Sequence, residues 1–133
     1  RQEASGTRLW SLLNQHYGTA KQIHQQIFLV NHCPLLLLDE NARNITPDKV
    51  SGKAVTKLMD VCDQHLRDVV DALAITRIIG VGKYAEKRAK LALVGRDDIS
   101  ISSCWHPSPA SPLANRNDGK DWRDNVISVL DES

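Results

Sequence analysis

Apolar residues recur along this chain in two rhythms, one helical and one strand-like. Leu9, Trp10, Leu12 and Leu13 fall at helical spacing within Thr7–Gln15, and Gly18 stands where such a helix would end. Ile27–Val30 is an unalternating β-favouring run, the pattern of a strand buried on both faces, and Pro34 would stop its pairing. Leu35–Leu38 leads into a polar loop, Asp39 to Pro47, where Thr46 and Pro47 suit the cap and first position of a helix. The spacing of Val50, Val55, Leu58, Val61, Cys62, Leu66, Val69 and Leu73 predicts that helix over Pro47–Leu73, with Gly52 weakening its first turn. Ile75–Val81 reads as the central strand, and Gly80-Val81-Gly82 as a tight turn into a helix over Lys83–Val94. Ile99–Cys104 makes a third strand, and Trp122, Val126, Val129 and Leu130 give an amphipathic helix from Asp121.

Strands alternating with helices of this length predict an α/β fold, a three-layer α/β/α sandwich around a mainly parallel sheet. Ligand sites in such sheets lie beyond the carboxyl ends of the strands. Three polar motifs occupy those ends: Asn31-His32-Cys33-Pro34, Gly80-Val81-Gly82-Lys83 and His106-Pro107-Ser108-Pro109. They are expected to converge on one crevice.

Composition narrows the class. With 133 residues, 41% hydrophobic and 25% charged, the chain has the balance of one soluble globular domain. The longest apolar stretch, Ile75–Val81, is interrupted by Thr76 and Arg77 and is far short of the roughly 20 residues a bilayer span needs, so no membrane partner is expected. A net charge of +1 is no general footprint for nucleic acid, which leaves any DNA contact to local patches. Cys33, Cys62 and Cys104 are odd in number and far apart, which predicts buried, reduced thiols in an intracellular chain. Neither His32 with Cys33 nor Cys104 with His106 has a second pair at zinc-ligand spacing, so no metal is expected. Arg1 in the place of an initiator Met reads as a fragment or a processed piece.

Several residues carry chemistry. Gly80-x-Gly82-x-x-Ala85, after a strand and opening a helix, is a structural turn or a phosphate-contacting one. A nicotinamide site is disfavoured, because the next strand ends in Cys104-Trp105 where an acidic ribose ligand belongs. Lys83, Lys87 and Lys90 share one helical face, either a solvated surface or a phosphate track. Ser108 lacks a Gly-x-Ser-x-Gly elbow and sits between two prolines, so it reads as part of a rigid loop rather than a nucleophile. The same prolines hold the segment around His106, whose imidazole is thereby fixed in place. Asn31 either satisfies backbone groups at a strand end or offers its amide, one acceptor and a donor pair, to the edge of a uracil. Cytosine presents the opposite polarity, so one oriented amide can tell the two apart.

Asn31-His32-Cys33-Pro34-Leu35-Leu36, Arg43-Asn44-x-Thr46-Pro47, Gly80-Val81-Gly82-x-x-Ala85-Glu86-x-Arg88-Ala89 and His106-Pro107-Ser108-Pro109 resemble, in the same order, the single-strand-selective monofunctional uracil-DNA glycosylases. Ser5-Gly6-x-Arg8-x-Trp10 is similar to that family too, so the resemblance spans nearly the whole chain. It implies hydrolysis of the N-glycosidic bond of uracil and some 5-substituted uracils in single- or double-stranded DNA, without metal or organic cofactor. It further implies a monomer working in base excision repair, hence in the nucleus. On this resemblance Asn31 reads the edge of a flipped uracil, and His106 donates to the uracil oxygen that gains charge as the base departs. DNA contacts are implied for Asn41, Arg43, Asn44, Thr46, Lys49 and Lys53, for Gly82 and Lys83, and for Ser108, Pro109, Ala110, Asn115, Arg116 and Lys120.

Two departures stand out. The segment after Pro109, the family's duplex-entering wedge, has Ala110 in place of the usual basic residue and is lengthened by Arg116-Asn117-Asp118. The family's Gly-Met-Asn-Pro-Gly motif, whose Asn positions the attacking water, occurs nowhere in the chain, nor does the uracil-stacking aromatic that follows it. Residues 1–133 are therefore expected to be the C-terminal portion of one glycosylase domain, inactive or unstable when expressed alone. A noncatalytic α/β module binding nucleotide phosphates through Gly80–Lys83 is the alternative.

Overall fold

The computed structural model describes residues 4–30 and 53–132. Helix α1, Ala4–Tyr17, buries Leu12 and Leu13 and ends at Gly18, whose φ of 105° is open to glycine and strained for other residues. A short helix α2, Ala20–Gln26, follows at once, where no element was expected. Thr19 and Gln22 close a reciprocal cap, with the Gln22 N–H donating to Thr19 Oγ1 at 3.3 Å and the Thr19 N–H to Gln22 Oε1 at 2.8 Å. This cap, with Ile23 buried beneath it, holds seven residues that propensity alone would not.

The strand expected at Ile27–Val30 does not form. Ile27 has extended backbone, but a strand exists only through a partner, and among the described residues none lies beside this run. Phe28, Leu29 and Val30 are exposed. Residues 47–52 of the long predicted helix lie outside the described residues. The described helix α3, Lys53–Ala72, ends through Ala74, which takes a left-handed φ of 53° so that the Ile75 N–H reaches Val70 O at 2.9 Å.

Strand β1, Arg77–Val81, begins two residues later than its apolar run suggested, and β2 covers Ser100–Cys104. They pair in parallel as expected, with Arg77 opposite Ser100 and Val81 opposite Cys104. Helix α4, Lys83–Ala92, joins them. Gly80 is required by this crossover, because a Cβ there would meet the Glu86 backbone N at 2.4 Å. After β2 come a one-turn helix α5 (Pro112–Asn115), a 3₁₀ turn (Arg116–Gly119) and helix α6, Lys120–Leu130. The first two were not foreseen.

Alternation along the paired strands makes the layers. Ile79, Val81 and Cys104 point to a core of Leu12, Leu13, Ile23, Ala114, Trp122, Val126 and Val129, from α1, α2, α5 and α6. Ile78 and Ile101 point the other way, to Leu66 and Val70 of α3, Ala89 and Ala92 of α4, and Leu93 just beyond it. The described part is thus an α/β sandwich with helices on both faces of a parallel sheet. Arg77 would be out of place on the first face, but its guanidinium donates to the Val129 and Leu130 carbonyls at the end of α6, where the intrahelical ladder runs out. Among the described residues no helix is long and apolar enough to cross a membrane.

Candidate active site

Which ends of the elements meet is readable from three cross-links. Met59 faces Tyr84, Asp63 pairs with Arg88, and Arg67 reaches the Ala92 carbonyl. Each step of four along α3 matches a step of four along α4, so the two helices run parallel. Their first residues, Lys53 and Lys83, therefore lie at the same end of the molecule, the end to which β1 and β2 deliver Gly82 and Trp105. Of the three motifs expected to converge, Gly80–Lys83 and His106–Pro109 meet at that edge, and Asn31–Pro34 lies outside the described residues.

His106 stands there, exposed, against the turn that opens α4. A Cβ on Gly82 would touch the imidazole Cδ2 at 3.4 Å, an ordinary contact, and it is the φ of 92° that opposes a side chain at 82. The Gly82 N–H donates to Cys104 O at 2.9 Å, prolonging the ladder by one bond. That donor is spent inside the fold, and Glu86 sits in the first turn of α4, an unfavourable neighbour for an anion. Both features support the structural reading of this turn. Lys83 Nζ lies 3.4 Å from Glu86 Oε1 and 3.3 Å from Ser103 Oγ, and Lys90 lies 3.5 Å from Glu86 Oε2. Burial pulls the Glu86 carboxyl upward, but the hydrogen bonds and charges of Lys83 and Lys90 outweigh it and leave its pKa below the ordinary value. Lys83 is nevertheless mostly in solvent and free to turn outward.

The loop carrying His106 is fastened bond by bond. Asn125 Oδ1 accepts the Trp105 N–H at 2.8 Å, and Trp122 Nε1 donates to Trp105 O at 2.8 Å. Arg8 Nη1 donates to Pro107 O at 3.1 Å and to Ala114 O at 3.2 Å, its guanidinium 5.9 Å from the Trp122 ring. Ser111 N–H closes on Ser108 O at 2.9 Å, Ala110 N–H on Ser108 Oγ at 3.2 Å, and Asn115 Nδ2 on Pro109 O at 2.6 Å. Within the loop, the Ser108 N–H donates to His106 Nδ1 at 3.0 Å. A ring nitrogen that accepts carries no proton, so the neutral imidazole holds its hydrogen on Nε2. The result is an outward-facing N–H donor on a braced segment.

Under this loop Cys104 is buried, and burial pushes its thiol up to about 11, so it stays protonated and does no acid–base work at neutral pH. In the segment after Pro109, Arg116 Nε lies 3.4 Å from Asp121 Oδ2 and Lys120 Nζ 2.6 Å from Asp124 Oδ2, a hydrogen bond that raises the Lys120 pKa. Asn117, Asp118 and Gly119 take successive left-handed φ values of 49°, 55° and 85°. Asn and Asp tolerate this region best after glycine, and Asn117 Nδ2 is held by the Asp121 carboxylate at 3.0 and 3.1 Å. The lengthened segment is therefore a tight left-handed knuckle.

A cleft of about 550 Å³ opens on the other side of the loop, between α1 and the Pro109–Arg123 segment. It includes Arg8, Pro109 and Trp122 but not His106. Asn31, Asn41, Arg43, Asn44, Thr46 and Lys49 lie outside the described residues. Sequence reasoning missed Asn125 and gave Trp122 only a core role. Asn125 stands three residues after Trp122, on the apolar face of α6, and a polar residue at that spacing is the signal that was available.

The family model for the uracil DNA glycosylase superfamily matches residues 2–130. This chain belongs to that superfamily. Among its relatives, the single-strand selective monofunctional uracil DNA glycosylase of Bos taurus is 38% identical over 115 residues, 86% of this chain and 42% of the relative. The corresponding proteins of Rattus norvegicus and Mus musculus are each 36% identical over 115 residues, 86% of this chain and 41% of theirs. The chain thus spans about two fifths of the length of these relatives. The parallel sheet with helices on both faces is the α/β architecture expected of a portion of a superfamily domain.

Proposed function

We propose that this chain supplies the C-terminal part of a uracil-DNA glycosylase domain that hydrolyses the N-glycosidic bond of uracil and 5-substituted uracils in single- or double-stranded DNA, beginning base excision repair in the nucleus. The observation that carries the reading is the Nε2–H of His106, exposed at the carboxyl edge of the sheet and fixed there by the Ser108 N–H on Nδ1. Breaking the glycosidic bond leaves negative charge on the departing uracil. A positioned donor aimed at that charge lowers the barrier by about 3 kcal/mol in comparable sites.

The target nucleotide must leave the stack before its glycosidic carbon is accessible. Asn31 then presents its amide to the uracil edge, accepting from N3–H and donating to O4, a pattern cytosine cannot match. DNA positioning falls to Asn41, Arg43, Asn44, Thr46, Lys49 and Lys53 on one side and to Lys83 and the Ser108–Lys120 stretch on the other, chiefly through phosphates. Arg116 and Lys120, both largely in solvent, exchange their carboxylate partners for phosphate, a modest cost because such surface pairs are weak. The residue that positions the attacking water comes from the portion of the domain beyond this chain.

The test is excision of uracil from a labelled oligonucleotide by the full-length protein. His106→Ala and Asn31→Ala are each expected to lower the single-turnover rate by about 100-fold with folding retained. A wild-type protein that excises nothing overturns the reading and favours a noncatalytic module.

A further inference from the structure

Arg8 is 99 positions from Pro107, yet its Nη1 donates to the Pro107 carbonyl at 3.1 Å, one peptide bond beyond His106. The same nitrogen donates to Ala114 O at 3.2 Å, which closes the far end of the loop, and the guanidinium lies 5.9 Å from the ring of Trp122. Trp122 in turn holds Trp105 O at 2.8 Å, one peptide bond before His106. The residues on both sides of the imidazole are thus fixed by one stacked pair, Arg8 on Trp122. Pro107 has no N–H and a fixed φ, so its carbonyl is the group through which its orientation can be set from outside. Among the described residues Arg8 is the one side chain from α1 or α2 that hydrogen-bonds this loop.

We infer that Arg8 is a positioning residue for His106: it sets where the Nε2–H points and does not itself touch the base. The inference rests on the reading of His106 as the donor to the departing uracil. Arg8 is suited to the task because a planar fork can stack and donate at once, which a lysine ammonium cannot do. Displacing a catalytic group by about 1 Å from a distance is enough to cost about 100-fold in rate.

The experiment is a double-mutant cycle in the full-length protein, read by single-turnover excision and by the imidazole ¹⁵N shifts of His106. Arg8→Ala is expected to slow excision by about 10- to 100-fold while the Kd for uracil-containing DNA changes by less than about threefold. In a His106→Ala background the same substitution is expected to change the rate by less than about twofold, because a positioning residue has nothing left to position. Arg8→Lys is expected to restore part of the rate, and it carries the cycle if Arg8→Ala does not fold. Independent, multiplying effects of Arg8 and His106, or unchanged His106 ¹⁵N shifts in the Arg8 variant, overturn the inference. Absence of excision by the wild type removes the functional reading alone, since the imidazole shifts still report on the Arg8 link.

Discussion

The two faces of the sheet are held by different means. On the α3–α4 face, aliphatic side chains pack on Ile78 and Ile101, and the polar links, Asp63 to Arg88 and Arg67 to Ala92 O, run from helix to helix. On the α1–α6 face, Trp122 is 1% exposed at the centre of the core, and the polar links of Arg8, Trp122 and Asn125 run from helix to loop. One face keeps the sheet together, and the other also aims His106. Damage to the first should appear as lost stability, and damage to the second as lost stability and lost geometry together.

The largest effect should come from the centre of the second face. Trp122→Ala removes the largest fully buried side chain among the described residues and the bond to Trp105 O, and is expected to cost about 3–5 kcal/mol in urea unfolding. Trp122→Phe separates the two contributions: it keeps most of the volume, costs about 1–2 kcal/mol, and still shifts the His106 resonances. Gly80→Ala comes next. Its Cβ meets the Glu86 backbone at 2.4 Å, so β1 and α4 must part, at about 1–3 kcal/mol by thermal unfolding.

On the first face, Asp63→Ala leaves Arg88 half-buried opposite an empty position. About 2 kcal/mol should be lost with the His106 shifts unchanged. A shift at His106 in this variant would break the division between the faces. The smallest effect runs the other way: Ala74→Gly relieves a left-handed alanine and should raise stability by up to about 1 kcal/mol, read from the urea midpoint.

How much of this was legible depended on distance along the chain. β1, α4 and β2 were visible because their periodicity and their turn lie within about thirty residues, and the parallel pairing followed from the α-helical crossover. The α2 cap was also written locally, as Thr19-x-x-Gln22, but Gly18 had been taken only as an ending. The strand at 27–30 was over-read, since an apolar run states a preference and only a neighbour makes a strand. At the site, His106 was marked by the two prolines that follow it, whereas Arg8 was marked only by its place in Ser5-Gly6-x-Arg8-x-Trp10, which says nothing of the loop it fastens. Its meaning appears only when α1 is laid beside α6.

That separation also sets a timetable. A ribosome adding about 5–20 residues per second releases Arg8 roughly 5–20 seconds before Pro107 exists to receive it. Throughout that interval Leu12 and Leu13 have no α6 to cover them, so α1 is secured only after α6 has been made. Slowed synthesis of residues 100–130 should therefore lengthen the window in which the nascent chain is captured by holdases or cut by proteases.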